Sequence, residues 1–157
     1  MAVRRPELSG PRFLALPADA QDSVEPLRQI ERLRLGVEIF AAYVQAQRAL
    51  RRDPIATVVA GLRARSPAPV EPSGATRAQA LRLGRAVTRL LRHLPGDTRC
   101  LARSLVLTRL LARRGIKATL VIGARTKPSF LAHAWVEHAG DPMLDPGGES
   151  FGRLVEL

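Results

Sequence analysis

Hydrophobic spacing changes period once along this chain, and that one change restricts the folds open to it. Apolar residues recur at helical spacing up to about residue 114, then run together or alternate as strand residues do from Ile116 onward. Helices gathered first and strands gathered last exclude an alternating chain with a parallel sheet. They point to an α+β fold in which helices pack on a small antiparallel sheet.

Within the helical part, residues 24–50 carry Leu27, Ile30, Leu33, Val37, Phe40 and Val44 at near-helical spacing. Asp53 and Pro54 read as an N-cap followed by an N1 proline, opening a short helix to about Arg65. The segment S-P-A-P-V-E-P-S-G at 66–74 is a proline-rich linker and the clearest internal boundary. After it, Thr76 and Gln79 suit a capping box for a helix ending near His93, before Pro95-Gly96. The expected organisation is a helical N-terminal region with its linker over residues 1–75 and a core over residues 76–157.

The chemistry falls in that core. Asp97 suits the N-cap of a helix over Thr98–Arg114, with Gly115 as its C′ residue. Cys100, the one cysteine in the chain, is then the third residue of the helix. Free N–H groups and the positive end of the helix dipole favour a thiolate there, and Arg99 and Arg103 add to the effect. The run I-K-A-T-L-V-I-G-A (116–124) suits a buried strand, and T-K-P-S (126–129) a turn. In L-A-H-A-W-V-E-H that follows, His133 lies mid-strand with Trp135 and Glu137 in alternation. Gly140-Asp141 reads as a tight hairpin, and M-L-D-P (143–146) as a short strand ending at Asp145. Cys100, His133 and Asp145 supply a nucleophile, a base and a carboxylate to orient the base. Spacing alone leaves this triad level with a structural coincidence in which Cys100 is a small buried hydrophobe.

Composition narrows the class. At 157 residues the chain suits one domain, or a core with a helical appendage, and 46% hydrophobic residues are too many for a disordered protein. No run approaches the roughly 20 apolar residues that span a bilayer. The opening MAVRRPELSGPRFLALPADA has an apolar stretch far short of a signal-peptide core, so a cytoplasmic protein is expected. A single cysteine makes no internal disulfide. The formal charge of +11 raises the question of nucleic acid, but the excess lies in the N-terminal part: sixteen arginines face eight acids in residues 1–95, against nine basic and six acidic residues after that. Aromatic residues, at 4%, are few for base stacking, and no Cys/His spacing fits a zinc finger.

Residues 82–146 resemble the transglutaminase-like cysteine proteases of lasso-peptide biosynthesis, the stand-alone B2 proteins. The resemblance rests on R-C-L-A-R-S-L-V-L-T-R-L-L-A-R-R-G-I-K-A-T-L-V-I-G-A-R and A-H-A-W-V-E. It implies a transglutaminase-like, papain-like core in which the helix bearing the cysteine packs on the sheet, and a leader peptidase acting on a ribosomally made precursor. Carried over by position, Cys100 is the nucleophile, His133 the general base and Asp145 the orienting carboxylate, with no metal or other cofactor. The partners it implies are the lasso precursor peptide, a separate leader-recognition B1 protein and a macrolactam-forming cyclase acting next. The basic helical half is a candidate docking surface for B1 or for the leader. Trp135 is expected to pack beside the catalytic histidine, Glu137 to lie at the surface or pair with an arginine, and His93 and His138 to face solvent. Two rival classes remain: transglutaminase-type acyl transfer with the same triad, and a non-catalytic basic module binding peptide or nucleic acid.

Overall fold

The computed structural model describes residues 18–64, 66–92, 100–127, 129–144 and 151–157, with side chains from Gln29 onward. The chain divides into two units, residues 1–34 and residues 35–157. The first is described only as the leading part of helix α1, Ala18–Leu50. In the second, the rest of α1 is followed by α2 (Ile55–Arg63), α3 (Gly74–Leu91) and α4 (Cys100–Ala112). Strands β1 (Thr119–Arg125), β2 (Leu131–His138), β3 (Asp141–Pro142) and β4 (Gly152–Glu156) come last. They form one antiparallel sheet in the order β3-β2-β1-β4. The fold is α+β, as the change of period requires.

The first helix forms where expected but turns a different face inward. Within residues 35–50, Val37 and Phe40 are 63% and 52% exposed, whereas Ile39, Ala42 and Ala46 are buried. Small residues let the helix axis come close to its neighbours, and Glu38 fixes that choice by pairing with Arg114 at 2.8 Å and Arg113 at 3.5 Å. Two helix starts also differ from the sequence reading. In α2 the N-cap residue is Pro54 itself, with no side-chain cap. In α3 the capping box is Ser73 with Thr76, three residues earlier than Thr76 with Gln79: the Ser73 hydroxyl accepts from the Thr76 N–H at 3.2 Å, and Thr76 Oγ1 accepts from the Ser73 N–H at 2.8 Å. The Ser73 hydroxyl thus satisfies one free N–H of the first turn, and Thr76 in return satisfies the N–H of Ser73.

Helix α4 is buried nearly all round, with Leu105, Val106, Leu107, Leu110 and Leu111 fully enclosed. One side meets α2 and α3, and the other meets the sheet face formed by Leu120, Ala134 and Val136. Each such leucine removed from water contributes about 1.5–3 kcal/mol. The helix ends in a Schellman motif. Ile116 N–H donates to the Leu111 carbonyl and Gly115 N–H to the Ala112 carbonyl, each at 3.0 Å, with Gly115 at φ +69°. The proline-rich segment is pinned to this cap: Val70 N–H donates to the Gly115 carbonyl at 2.9 Å, and Val70 bridges Ile116 in parallel.

From that cap the chain enters β1 at Thr119, which pairs with Glu137 near the end of β2. Helix α4 and strand β2 therefore run in the same direction, and their starts lie at the same end of the layered core. The buried Ser104 hydroxyl fixes their relative height by donating to the Ala134 carbonyl at 3.0 Å. At the other end, the β2–β3 turn is Ala139-Gly140, at φ +51° and +85°, as a two-residue hairpin requires. Asp141 is thus the first residue of β3 rather than a turn residue, because it pairs with His138 and leaves two residues for the loop. Strand β4 has no counterpart in the sequence reading. All five of its residues are exposed, so it lacks the apolar alternation that marks a half-buried strand.

Two substitutions test this frame. Gly115→Ala puts a Cβ 2.6 Å from the Ala68 carbonyl oxygen at a positive φ. It should lower unfolding free energy by about 1–3 kcal/mol in urea denaturation. Ser104→Ala removes a buried donor and leaves a main-chain acceptor unpaired, which should cost about 1–3 kcal/mol in the same measurement.

Candidate active site

Cys100 is the first described residue of α4 and is partly buried against the core. The first turn of a helix holds N–H groups with no partner inside the helix, donors suited to a developing negative charge. Asp97, expected as the N-cap, lies outside the described residues. Ser104 follows one helical turn after Cys100 and on the same face, so its bond to Ala134 sets the thiol's height along β2.

His133 is the third residue of β2 and is partly buried. Strand alternation puts Ala134, Val136 and His138 on the face packed against the helices, and His133, Trp135 and Glu137 on the other. Cys100 and His133 each lie near the start of their element, the first in the helix layer and the second on the face of the sheet turned away from it. Among the described residues β3 pairs with β2 only at Glu137 and His138.

An ordered cluster surrounds the imidazole. The His133 ring stacks on Trp135 with centroids 6.1 Å apart and planes 19° apart, and meets Phe151 at 5.3 Å and 39°. The Arg125 guanidinium lies 5.4 Å over the Phe151 ring. Trp135 is 4% exposed, and its Nε1 donates to Glu137 Oε1 at 2.8 Å. Both carboxylate oxygens of Glu137 accept from Arg153, Oε1 from Nη1 and Oε2 from Nη2, each at 3.0 Å. Arg153 Nε donates to Glu156 at 2.7 Å. The hydrogen bonds from Arg153 to Glu137 first, then to Glu156, hold its guanidinium above its ordinary pKa.

Other expectations divide. Glu137 does pair with an arginine, but it is buried rather than at the surface. His138 is 3% exposed instead of facing solvent, because alternation turns it towards α3. Its Nδ1 lies 2.7 Å from the Lys117 carbonyl oxygen, and its Nε2 3.3 Å from Thr76 Oγ1. Asp141 pairs with Arg77 at 2.6 Å, both about half exposed, on the side of α3. Asp145 and His93 lie outside the described residues. Sequence reasoning missed Phe151 and Arg153; the hint for the second was the expectation that Glu137 would pair with an arginine. Among the described residues no three His, Cys, Asp or Glu side chains form a metal-binding group, and no helix is long and apolar enough to cross a membrane.

Comparison with known proteins agrees with this layout. Residues 40–156, about three quarters of the chain, match the profile described as the transglutaminase-like superfamily, whose members are typically cysteine-dependent enzymes. No curated protein and no solved structure matches the chain. A helix that carries the lone cysteine, packed on an antiparallel sheet whose second strand carries His133, falls wholly inside the matched span, and the chain belongs to the transglutaminase-like superfamily.

Proposed function

We propose that this protein is a cysteine peptidase that removes the leader from a ribosomally made lasso-peptide precursor. Its catalytic residues are Cys100, His133 and Asp145. What supports the reading is the position of the chain's one thiol, at the first described residue of a buried helix that packs on the strand carrying His133. The phrases R-C-L and A-H-A-W-V-E supply the narrower resemblance to leader peptidases.

His133 takes the proton of Cys100, and the thiolate attacks the carbonyl carbon joining leader to core. The oxyanion needs donors, and the main-chain N–H of Cys100 is one candidate. The C–N bond then breaks as protonated His133 gives its proton to the departing amine of the core peptide. The leader is left as a thioester on Cys100. Water attacks this thioester while His133 accepts its proton, and the leader leaves with a free carboxylate as the thiol is restored. Asp145 fixes the imidazole tautomer and favours its charged form. Met143, two positions before Asp145 in the chain, donates its N–H to the Val136 carbonyl of β2 at 2.7 Å.

Residues 76–157 carry this chemistry in our reading. Residues 1–75 are the region that meets the leader-recognition B1 protein or the leader, in the cytoplasm, ahead of the macrolactam-forming cyclase. The superfamily match equally accommodates acyl transfer to an amine in place of water. The products tell the two apart: hydrolysis adds the mass of water, and transfer adds the mass of the amine.

Incubating the purified protein with the lasso precursor, with and without B1, and weighing the products tests the assignment. Cys100→Ala and His133→Ala should each lose about 10³-fold or more of leader cleavage while staying folded. Wild-type rates in a folded Cys100→Ala variant would sink the peptidase reading.

A second comparison tests the third catalytic residue. Asp145→Asn keeps the shape but removes the charge, and should cost about 10²–10⁴-fold in cleavage. Asp141→Asn breaks only a half-exposed ion pair with Arg77, of the kind worth about 0–1 kcal/mol, and should leave cleavage near wild type. An inactive Asp141→Asn beside an active Asp145→Asn would reverse the assignment.

A further inference from the structure

Glu137 is a buried carboxylate on a small sheet, held at three points, and the proposed chemistry above gives it no task. Its desolvation has to be offset by partners. Arg153 provides two parallel bonds and Trp135 a third, all between 2.8 and 3.0 Å. An ion pair with one partner half exposed contributes little stability. What it does provide is direction, because a bidentate guanidinium–carboxylate pair has one favoured geometry.

That direction ends at the imidazole. His133 on β2, Gly123 on β1 and Arg153 on β4 lie in one row across the sheet. Trp135, two residues from His133 on the same face, covers the gap at Gly123: a Cβ there would lie 2.9 Å from ring atoms Cη2 and Cζ3. The indole is thus held at its ring edge by close contact with the β1 backbone and at its nitrogen by Glu137. Its face is then fixed where the His133 ring stacks. We propose that Glu137, clamped by Arg153, is a positioning residue that sets the orientation of His133 through Trp135. This rests on His133 being the base of the proposed peptidase. In that chemistry the imidazole must reach the thiol and then the leaving amine, and a misplacement of about 1 Å can cost on the order of 10²-fold.

Trp135 is the chain's one tryptophan, so its fluorescence reports this geometry without any substrate. Protonated imidazole in contact with indole quenches its emission, and a pH titration of the wild-type chain should therefore show a quenching step that His133→Ala abolishes. Glu137→Gln keeps an acceptor for the indole N–H but loses the charged clamp. Because Glu137 is buried and the variant could be destabilised, Arg153→Gln, altered on the exposed edge strand, is the companion. Both should lose most of the quenching step. In leader cleavage kcat should fall about 10-fold with KM little changed. Arg153→Lys, which keeps charge without the fork, should fall in between. Glu156→Gln, which removes only the exposed partner of Arg153, should match wild type in both measurements.

If His133→Ala leaves both the quenching step and cleavage intact, the peptidase reading and this proposal fall together. If His133→Ala removes both, while folded Glu137→Gln and Arg153→Gln keep the wild-type step and kcat, the peptidase reading stands and the positioning role is overturned.

Discussion

The burial of α4 is the constraint on which the rest depends. Nine of its thirteen residues are buried, and the helix meets other elements on nearly every side. A helix enclosed in this way exposes chemistry only at its ends. Its C-terminal end is used up by the Schellman motif and by the linker bonded to Gly115. Cys100 is the first described residue at its N-terminal end. Sliding the helix along the sheet would break the Ser104–Ala134 bond and unseat Leu105, Leu107 and Leu110 together. The thiol's place along β2 is therefore a by-product of core packing, fixed before any catalytic contact is made.

How much of this could be read from the sequence follows from how each feature is encoded. Local backbone chemistry was legible: Gly115 as the helix-closing residue, the turn before β2, and the strand carrying His133 all depend on neighbours in the chain. The buried face of α1 was not, because large apolar residues at Val37 and Phe40 outweigh Ala42 and Ala46 in any count of hydrophobicity. What turns the helix is long-range: close approach at the alanines and the Glu38–Arg114 pair. The hairpin turn was misread because Ala139 adopts a positive φ that residue type alone does not announce. Of the three proposed catalytic residues, Cys100 and His133 each lie near the start of their element, and Asp145 falls outside the described chain.

The arginine excess also looks different once partners are assigned. Arg63 donates to the main-chain oxygens of Ala118 at 2.5 Å and Leu157 at 2.9 Å, tying α2 to the sheet, and burial lowers its pKa. Arg113 and Arg114 hold α1 through Glu38, Arg77 reaches Asp141, and Arg153 clamps Glu137. A planar group with five donors can join carboxylates and carbonyls that a lysine would satisfy only one at a time. Part of the formal charge is thus structural cement between elements, which weakens net charge as an argument for nucleic acid.

The two faces of the sheet divide the work. Leu120, Ala134 and Val136 face the helices and belong to the main hydrophobic cluster. Gly123, His133, Trp135, Glu137 and Arg153 sit on the other face, where burial is achieved by one indole and one ion pair. A strand repeats every two residues, so A-W-V-E writes both programmes into four positions: Ala134 and Val136 for the core, Trp135 and Glu137 for the other face, which His133 shares. A one-residue slip of β2 would exchange the two sets, burying a histidine and a carboxylate against leucines. The core residues therefore do more than stabilise the strand; by fixing its register they keep the imidazole on the face where Trp135 and Phe151 can hold it.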